Sequence, residues 1–312
     1  MIEAMLLAAG QGRRLLPITK FIPKPLLPIV NTHLLEGVIT FLKHQGITKI
    51  IVNVYHLKEQ LINFIKQNDF EVDVRISVEE QILGTGGGIG RMKNFITSDD
   101  FIVYNSDIVT DIVLREVWKF HKRNKAIATL ILVKRENSKD VLLSGDGKVI
   151  DIAGRLKKQG QNFFQFTGIA ILNREIFNYL PDNEFYNIIE AYKWLIKDGK
   201  NIYGFVSHGS YWRDIGTKKN YLQVHRDILI KGKNIFDRQD KIKRPFFIGK
   251  NSIVNKDIKL SGFVSIGQSC TLDTNCKLEN CIVFDDTQIK KDSIYKNCII
   301  SNEFQVCLPD FI

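Results

Sequence analysis

The sequence predicts an α/β domain built on a mixed, mainly parallel sheet, followed by a short left-handed parallel β-helix. Three observations predict this. Strand-like and helix-like apolar patterns alternate through most of the first 230 residues, as strand–helix units of a covered sheet do. Residues 126–172 switch to short strands and turns. From Ile248 onward an apolar residue recurs every six positions. We assign residues 1–231 to the α/β domain, 232–245 to a polar, charged linker ending at Pro245, and 246–312 to the β-helix.

The elements follow in order. Residues 2–8 read as a buried strand. Leu34, Leu35, Val38, Ile39 and Leu42 recur at helical spacing, 49–54 is strand-like, and Leu57, Leu61 and Ile65 mark a second helix. Val72, Val74, Ile76 and Val78 alternate as a half-buried strand does. Residues 101–104 form another apolar strand, with Asp107 just beyond it. Ligands of such sheets bind past the carboxyl ends of the strands, where the loops at Gly10 and Asp107 lie. Residues 126–133, 141–144 and 149–152, the last two joined at Gly145-Asp146-Gly147, read as antiparallel ribbon. Helical patterns return at 174–180 and 187–197, and Thr217 is placed to cap a last helix.

In the tail, Ile248, Val254, Leu260, Ile266, Leu272, Leu278 and Phe284 stand six apart. Their companions four residues on are Ser252, Ile258, Val264, Cys270, Cys276, Ile282 and Gln288. Three hexads make a triangular coil, so roughly two to three coils are expected, with a register slip after Phe284. The segment 301–312, with Phe304, Val306, Leu308 and Phe311, is apolar enough to cover the open coil end or to meet a neighbouring subunit. We expect a homo-oligomer, most simply a two-fold dimer, and a tail whose removal affects assembly or stability more than chemistry.

Composition excludes several classes. The chain has 312 residues, 44% hydrophobic and 25% charged, which is ordinary for a globular protein. No apolar run approaches the ~18 residues of a membrane span, and the start lacks a signal-peptide layout, so a cytoplasmic protein without membrane contact is expected. The net charge of +10 suits an anionic substrate or scattered surface lysines, and no basic run interleaved with aromatics points to nucleic acid. Five cysteines, all at or after position 270, argue against a disulfide framework and read as small buried residues. The six histidines form no ligand-spaced pair.

The chemistry is concentrated in Leu6-Leu7-Ala8-Ala9-Gly10-Gln11-Gly12-Arg13-Arg14-Leu15-Leu16-Pro17 and in Pro23-Lys24-Pro25. Gly10 and Gly12 let backbone N–H groups close on a phosphate, and fixed cations neutralise its remaining charge. No Lys-Ser or Lys-Thr follows as in a P-loop, and Leu15 stands where a dinucleotide loop needs a third glycine. A plain Gly-rich turn would explain GxG alone but not Arg14 and a lysine stiffened between prolines.

With Thr19 included, these motifs resemble those of the sugar-1-phosphate nucleotidylyltransferases, whose pattern is close to LAAGxGxRLxPxT followed by PKP. The resemblance continues at Glu79 to Ile89, Asp107, Thr167-Gly168 and Trp212 to Thr217, and so spans nearly the whole chain. Arg13 and Leu16 are minor departures, standing where many members carry Thr and a basic residue. The resemblance implies a Rossmann-like nucleotidyltransferase domain that takes a nucleoside triphosphate and a sugar 1-phosphate.

By the same resemblance, Arg14 grips the leaving end of the triphosphate and Lys24 bridges toward the sugar phosphate. Leu7, Ala8, Ala9, Gly10, Gly12 and Arg13 line the nucleotide. Glu79, Gly84, Thr85 and Gly86 belong to the base-recognition loop, whose glycines let the backbone approach the base and then open a helix. Thr167 and Gly168 are the sugar-side contact. Glu190 is a candidate for sugar hydroxyls, and a solvated helix position explains it equally well. Asp107 and Asp214 would each pass as a turn or cap residue. Together they supply the two carboxylates of a Mg2+ site, a convergence the resemblance implies. Arg14, Lys24 and Asp107 are the expected catalytic residues. The nucleophile is already an ionised phosphate, so no histidine is needed as base.

The Leu83-Gly84-Thr85-Gly86-Gly87-Gly88-Ile89 run and the six-residue repeat look most like the mannose-1-phosphate guanylyltransferase branch. GTP with mannose 1-phosphate is the leading expectation. Uridylyl or thymidylyl transfer to glucose or amino-sugar 1-phosphates is the alternative. A reading from another class is a silent NDP-sugar-binding regulatory paralogue. Retention of Arg14, Lys24, Asp107 and Asp214 argues against it.

Overall fold

The computed structural model describes residues 2–236 and 244–311, so part of the expected linker, residues 237–243, lies outside the described residues. The chain divides into two compact units: residues 1–11 with 38–212, and residues 12–37 with 213–312.

The first unit is built on a nine-stranded sheet among the described residues. Glu3–Leu7 sits between Lys49–Val54 and Asp100–Asn105, parallel to both, and Lys49–Val54 is parallel to Asp73–Val78. The three central strands have little polar alternation because both of their faces are covered, and all six residues of Lys49–Val54 are buried, whereas Asp73–Val78 at the sheet edge alternates as expected, with Asp73 and Arg75 exposed. The long strand Phe163–Asn173 runs antiparallel to Asp100–Asn105 and to Ala128–Val133, which makes the sheet mixed. Of the expected antiparallel ribbon, Val141–Leu143 and Val149–Ile152 pair with each other, whereas Ala128–Val133 lies beside Phe163–Asn173 and, in parallel, beside Ile202–Val206. One core joins Met5, Ile51, Phe101, Leu130, Ala170 and Tyr192. Its helices include α2 (Lys58–Gln67), α3 (Gly84–Arg91), α4 (Leu114–Arg123) and α5 (Ile188–Lys197), while residues 174–179 form a 3-10 helix. Helix α1 (Leu34–His44) precedes them in the chain.

The second unit contains α6 (Lys218–Leu229), whose N-cap is Thr217 as expected: its Oγ1 accepts from the Asn220 amide at 3.2 Å. Its C-terminal strands stack in parallel at intervals of 18 residues, then 17. Lys259 pairs with Lys277 and Ile253 with Thr271, but Cys281 pairs with Val264 and Ile282 with Ile299. The register therefore slips before Cys281, earlier than the expected position after Phe284. Cys281, Val283, Ile289 and Ile300 take up the interior, and Phe284 turns away from it. At the first coil Ile248 is 45% exposed.

Cys270, Cys276 and Cys281 are buried free thiols, each donating to the carbonyl fourteen residues on: Phe284, Lys290 and Tyr295. The reading of all five cysteines as small buried residues fails at the end of the chain. Cys298 and Cys307 face each other across an antiparallel strand pair and form a disulfide, with Cys307 exposed. A separation of nine residues shows this pairing only once the hairpin between them is known.

Candidate active site

In the first unit, three neighbouring parallel strands are in register at Leu7, Asn53 and Asn105, at or one residue before their ends. The backbone then leaves the sheet, and these strand ends set the site. Asn53 Oδ1 accepts from the Ala8 amide at 2.7 Å, and its Nδ2 donates to Glu79 Oε1 at 2.7 Å. Glu79 Oε2 accepts from the Leu83 amide at 3.2 Å. Glu79 is 1% exposed, so its carboxylate is spent behind the loops, tying Ala8 to the start of α3. Ser106 donates to the Leu7 carbonyl at 2.8 Å. Asp107, half-buried, follows. Burial, and secondarily the charge of Asp107, push the Tyr104 phenol well above its ordinary pKa.

The glycines expected to form a loop and then open a helix lie within α3 itself. A Cβ on Gly87 would come 2.0 Å from the Glu184 carbonyl oxygen, and one on Gly86 3.0 Å from the Ile188 nitrogen. The helix thus packs at backbone distance against residues 181–188, and Gly86 N donates to the Tyr186 carbonyl at 2.8 Å. Thr85 Oγ1 accepts from Ile188 N at 3.1 Å and so helps cap α5 beside Asn187.

Opposite lies Thr167-Gly168. The strand Phe163–Asn173 breaks register between Phe166 and Ala170, a bulge stitched by Thr167. The Thr167 hydroxyl donates to the Ile131 carbonyl at 2.8 Å, and its own carbonyl accepts from Trp212 Nε1 at 2.9 Å. Gly168 has φ of 80°, and a Cβ there would meet Asn105 Nδ2 at 2.5 Å. Between these walls is a cavity of about 190 Å³ lined by Leu7, Thr85, Asn105, Phe166, Asn187 and Tyr192, among others. Glu190 ion-pairs with Lys193 and, at 3.4 Å, with Arg155; chiefly the Lys193 contact holds its carboxyl below the usual range.

The second unit holds the other motif residues. Gly12, with φ of 62°, starts a chain of 3-10 turns, and the Thr19 hydroxyl donates to its carbonyl at 3.0 Å. Arg13 and Arg14 are exposed, and Lys24 is half-buried between the buried Pro23 and Pro25. Arg14 makes no hydrogen bond or ion pair with the described residues. Its guanidinium lies beside Gly216: a Cβ there would be 2.5 Å from Arg14 Nη2 and 3.0 Å from Asp214 Oδ1. The structure therefore brings Arg14 and Asp214 together. Asp214 accepts from the Gly216 amide at 3.1 Å and from Asn220 Nδ2 at 3.2 Å. The neighbouring Arg213 pairs at 3.0 Å with the buried Asp227 of α6, which fixes the segment's direction. Leu7, Ala8, Ala9, Gly10, Asp107 and the Glu79–Gly86 run belong to the first unit; Gly12, Arg13, Arg14, Lys24 and Asp214 belong to the second.

Asn53, Asn105, Asn187 and Asp227 carry no signal in the sequence that marks them for the site. The three asparagines sit at strand or helix ends, and only the partner across the sheet or bundle shows their use.

Residues 3–231 match the nucleotidyl transferase family, and residues 242–307 match the GMPPB C-terminal domain. The chain is 28% identical to a UTP--glucose-1-phosphate uridylyltransferase of Synechocystis, over 92% of this chain and 84% of that one. It is 26% identical to a probable mannose-1-phosphate guanylyltransferase 3 of Oryza sativa, over 96% and 86%. Among solved structures, HddC from Yersinia pseudotuberculosis superposes with a TM-score of 0.61 at 23% identity, covering 72% of this chain and 98% of that one. A putative glucose-1-phosphate thymidylyltransferase from Bacillus anthracis gives 0.64 at 22% identity, covering 75% and 97%. No helix among the described residues is long and apolar enough to cross a membrane.

Proposed function

The chain belongs to the nucleotidyl transferase family as a sugar-1-phosphate nucleotidylyltransferase, and from that premise we propose that it joins GTP and mannose 1-phosphate to give GDP-mannose and pyrophosphate. The observation that carries base and sugar is the match of residues 242–307 to the GMPPB C-terminal domain, in company with relatives named mannose-1-phosphate guanylyltransferases.

A phosphate oxygen of the sugar phosphate attacks the α-phosphorus in line, and the bond to the pyrophosphate oxygen breaks. Both reactants are anions, so the chain's work is to cancel repulsion and fix the approach. In this reading the backbone at Gly10 and Gly12 closes on the triphosphate and Arg14 neutralises the departing pyrophosphate. Arg13 adds positive charge, and Lys24 bridges the α-phosphate and the incoming phosphate. Gly84 to Gly86 meet the base. Gly168, with Asn105 and Asn187, meets the sugar; Glu190 joins them by releasing part of its ion pairing.

Asp107 and Asp214 offer the hard carboxylate oxygens that suit Mg2+. Each Asp214 oxygen accepts one protein hydrogen bond and retains lone-pair capacity for a ligand, so this residue fits the role. When bound, the ion would offset charge on the α-phosphate. We also infer that the C-terminal coils are left-handed and that the protein forms a homo-oligomer.

The Synechocystis relative favours a second reading, UTP with glucose 1-phosphate. The deciding experiment pairs four nucleoside triphosphates with mannose, glucose and N-acetylated sugar 1-phosphates and reads pyrophosphate release. GTP with mannose 1-phosphate is expected to give the highest kcat/KM. GTP as the poorest donor in every pairing overturns the guanylyl reading.

A further inference from the structure

Residues 13–26 carry both signature cations yet form only three short 3-10 turns, at Arg13–Leu15, Ile18–Lys20 and Lys24–Leu26. Such turns are poorly hydrogen-bonded and do not hold a shape by themselves. Their support comes from the C-terminal part of the same compact unit.

Downstream of Lys24, the Tyr221 hydroxyl donates to the Pro28 carbonyl at 2.5 Å, and the Val30 amide donates to His225 Nε2 at 3.0 Å. The Ser265 hydroxyl donates to the Val30 carbonyl at 3.4 Å. Upstream, the contact is a ring. Phe21, three residues before Lys24 and 41% exposed, stacks on Phe304 with centroids 5.9 Å apart and planes at 29°. Phe304 is 7% exposed and meets Phe284 edge-on at 5.3 Å, and Phe284 meets Tyr221 at 6.4 Å. The aromatic series thus runs from Phe21 to the helix that anchors Pro28.

Phe304 is presented rigidly. It lies in the turn closed by Cys298–Cys307. The Ser301 hydroxyl accepts from the Glu303 and Phe304 amides at 3.0 and 3.1 Å, and the Ser301 amide donates to the Phe304 carbonyl at 2.9 Å. A buried ring on a pinned turn, stacked on an exposed ring beside a phosphate-binding lysine, is more than an end cap for the coil.

The geometry points to Phe304 as a positioning residue for the segment that carries Arg14 and Lys24, acting through Phe21. Its role in catalysis rests on the functional reading above; its hold on the segment does not. The tail, expected from the sequence to affect assembly or stability more than chemistry, is thereby tied to the signature segment.

The test uses the full chain with Phe21→Ala, Phe304→Ala, Phe304→Leu and the Phe21→Ala/Phe304→Ala double variant. Amide hydrogen exchange over residues 13–24 is read beside kcat and KM. Faster exchange there is expected in both alanine variants, with partial restoration in Phe304→Leu. An aromatic pair of this kind predicts a roughly three- to tenfold fall in kcat/KM for either single variant, with the double variant no worse than the poorer single. If Phe304→Ala fails to fold, Phe21→Ala and Phe304→Leu decide. Unchanged exchange and kinetics in these folded variants, or losses that multiply independently, overturn the proposal. A wild-type protein with no transferase activity but the expected exchange pattern would sink the functional reading and leave the positioning intact.

Discussion

Asn53 holds Glu79: its Nδ2 donates to the buried carboxylate at 2.7 Å while its Oδ1 accepts the Ala8 amide at the same distance. One side chain thus links the end of the first strand to the start of α3. Asn53→Leu strands two buried polar groups, which should cost about 3 kcal/mol in chemical denaturation. It should also raise KM for the nucleotide more than it lowers kcat. A stability change within experimental error contradicts the link.

The glycines separate demands of packing from demands of a ligand. A Cβ on Gly87 would sit 2.0 Å from a backbone oxygen, whereas one on Gly10 would have nothing within 4 Å. Gly87→Ala should therefore lower stability by about 1–3 kcal/mol. Gly10→Ala should leave stability unchanged and, on the proposed function, weaken nucleotide binding, because the methyl would enter the space assigned there to the triphosphate. Isothermal titration of Gly10→Ala with wild-type affinity would remove the loop backbone from the site.

Glu3 provides a pH test of the sheet. Burial raises its pKa, but hydrogen bonds from Lys49, Ser98 and Thr97 outweigh that and hold it at about 2, against an ordinary 4.5. A carboxyl depressed on folding contributes stability that is complete above about pH 5 and is lost as pH falls toward 2. The loss should be on the order of 2 kcal/mol. Urea midpoints from pH 6 to pH 3 should fall in the wild type and fall less steeply in Glu3→Gln. Parallel acid limbs would contradict the assignment.

Much of this was legible from residues alone. The strand at 49–54 and the inward-facing positions Val254, Leu260, Ile266, Leu272 and Leu278 follow from apolar spacing, which burial enforces locally, and the Thr217 cap follows from its hydroxyl at a helix start. What was not legible depends on partners distant in sequence. The glycines from Gly84 to Gly88 read as a base-side loop that then opens a helix until they are seen inside α3, packed against residues 181–188. Glu79 looks like a ligand contact in the sequence, and its burial behind Asn53 and the Leu83 amide shows only in the fold. The missing residue that shortens the coil from 18 to 17 shows only in strand register, and Phe21 gives no sign of Phe304 across 283 positions.

On the proposed function, fixed cations on the Gly12–Lys24 segment make nucleotidyl transfer possible, and Lys24 is the one whose charge can be removed with least change of shape. Lys24→Met keeps the stem between Pro23 and Pro25 and removes only the charge. Single-turnover pyrophosphate release, measured with the best triphosphate and sugar 1-phosphate pair under saturating Mg2+, should fall by about 100-fold or more, with the thermal midpoint near that of the wild type. Release within a few-fold of wild type from a folded Lys24→Met protein would contradict the account.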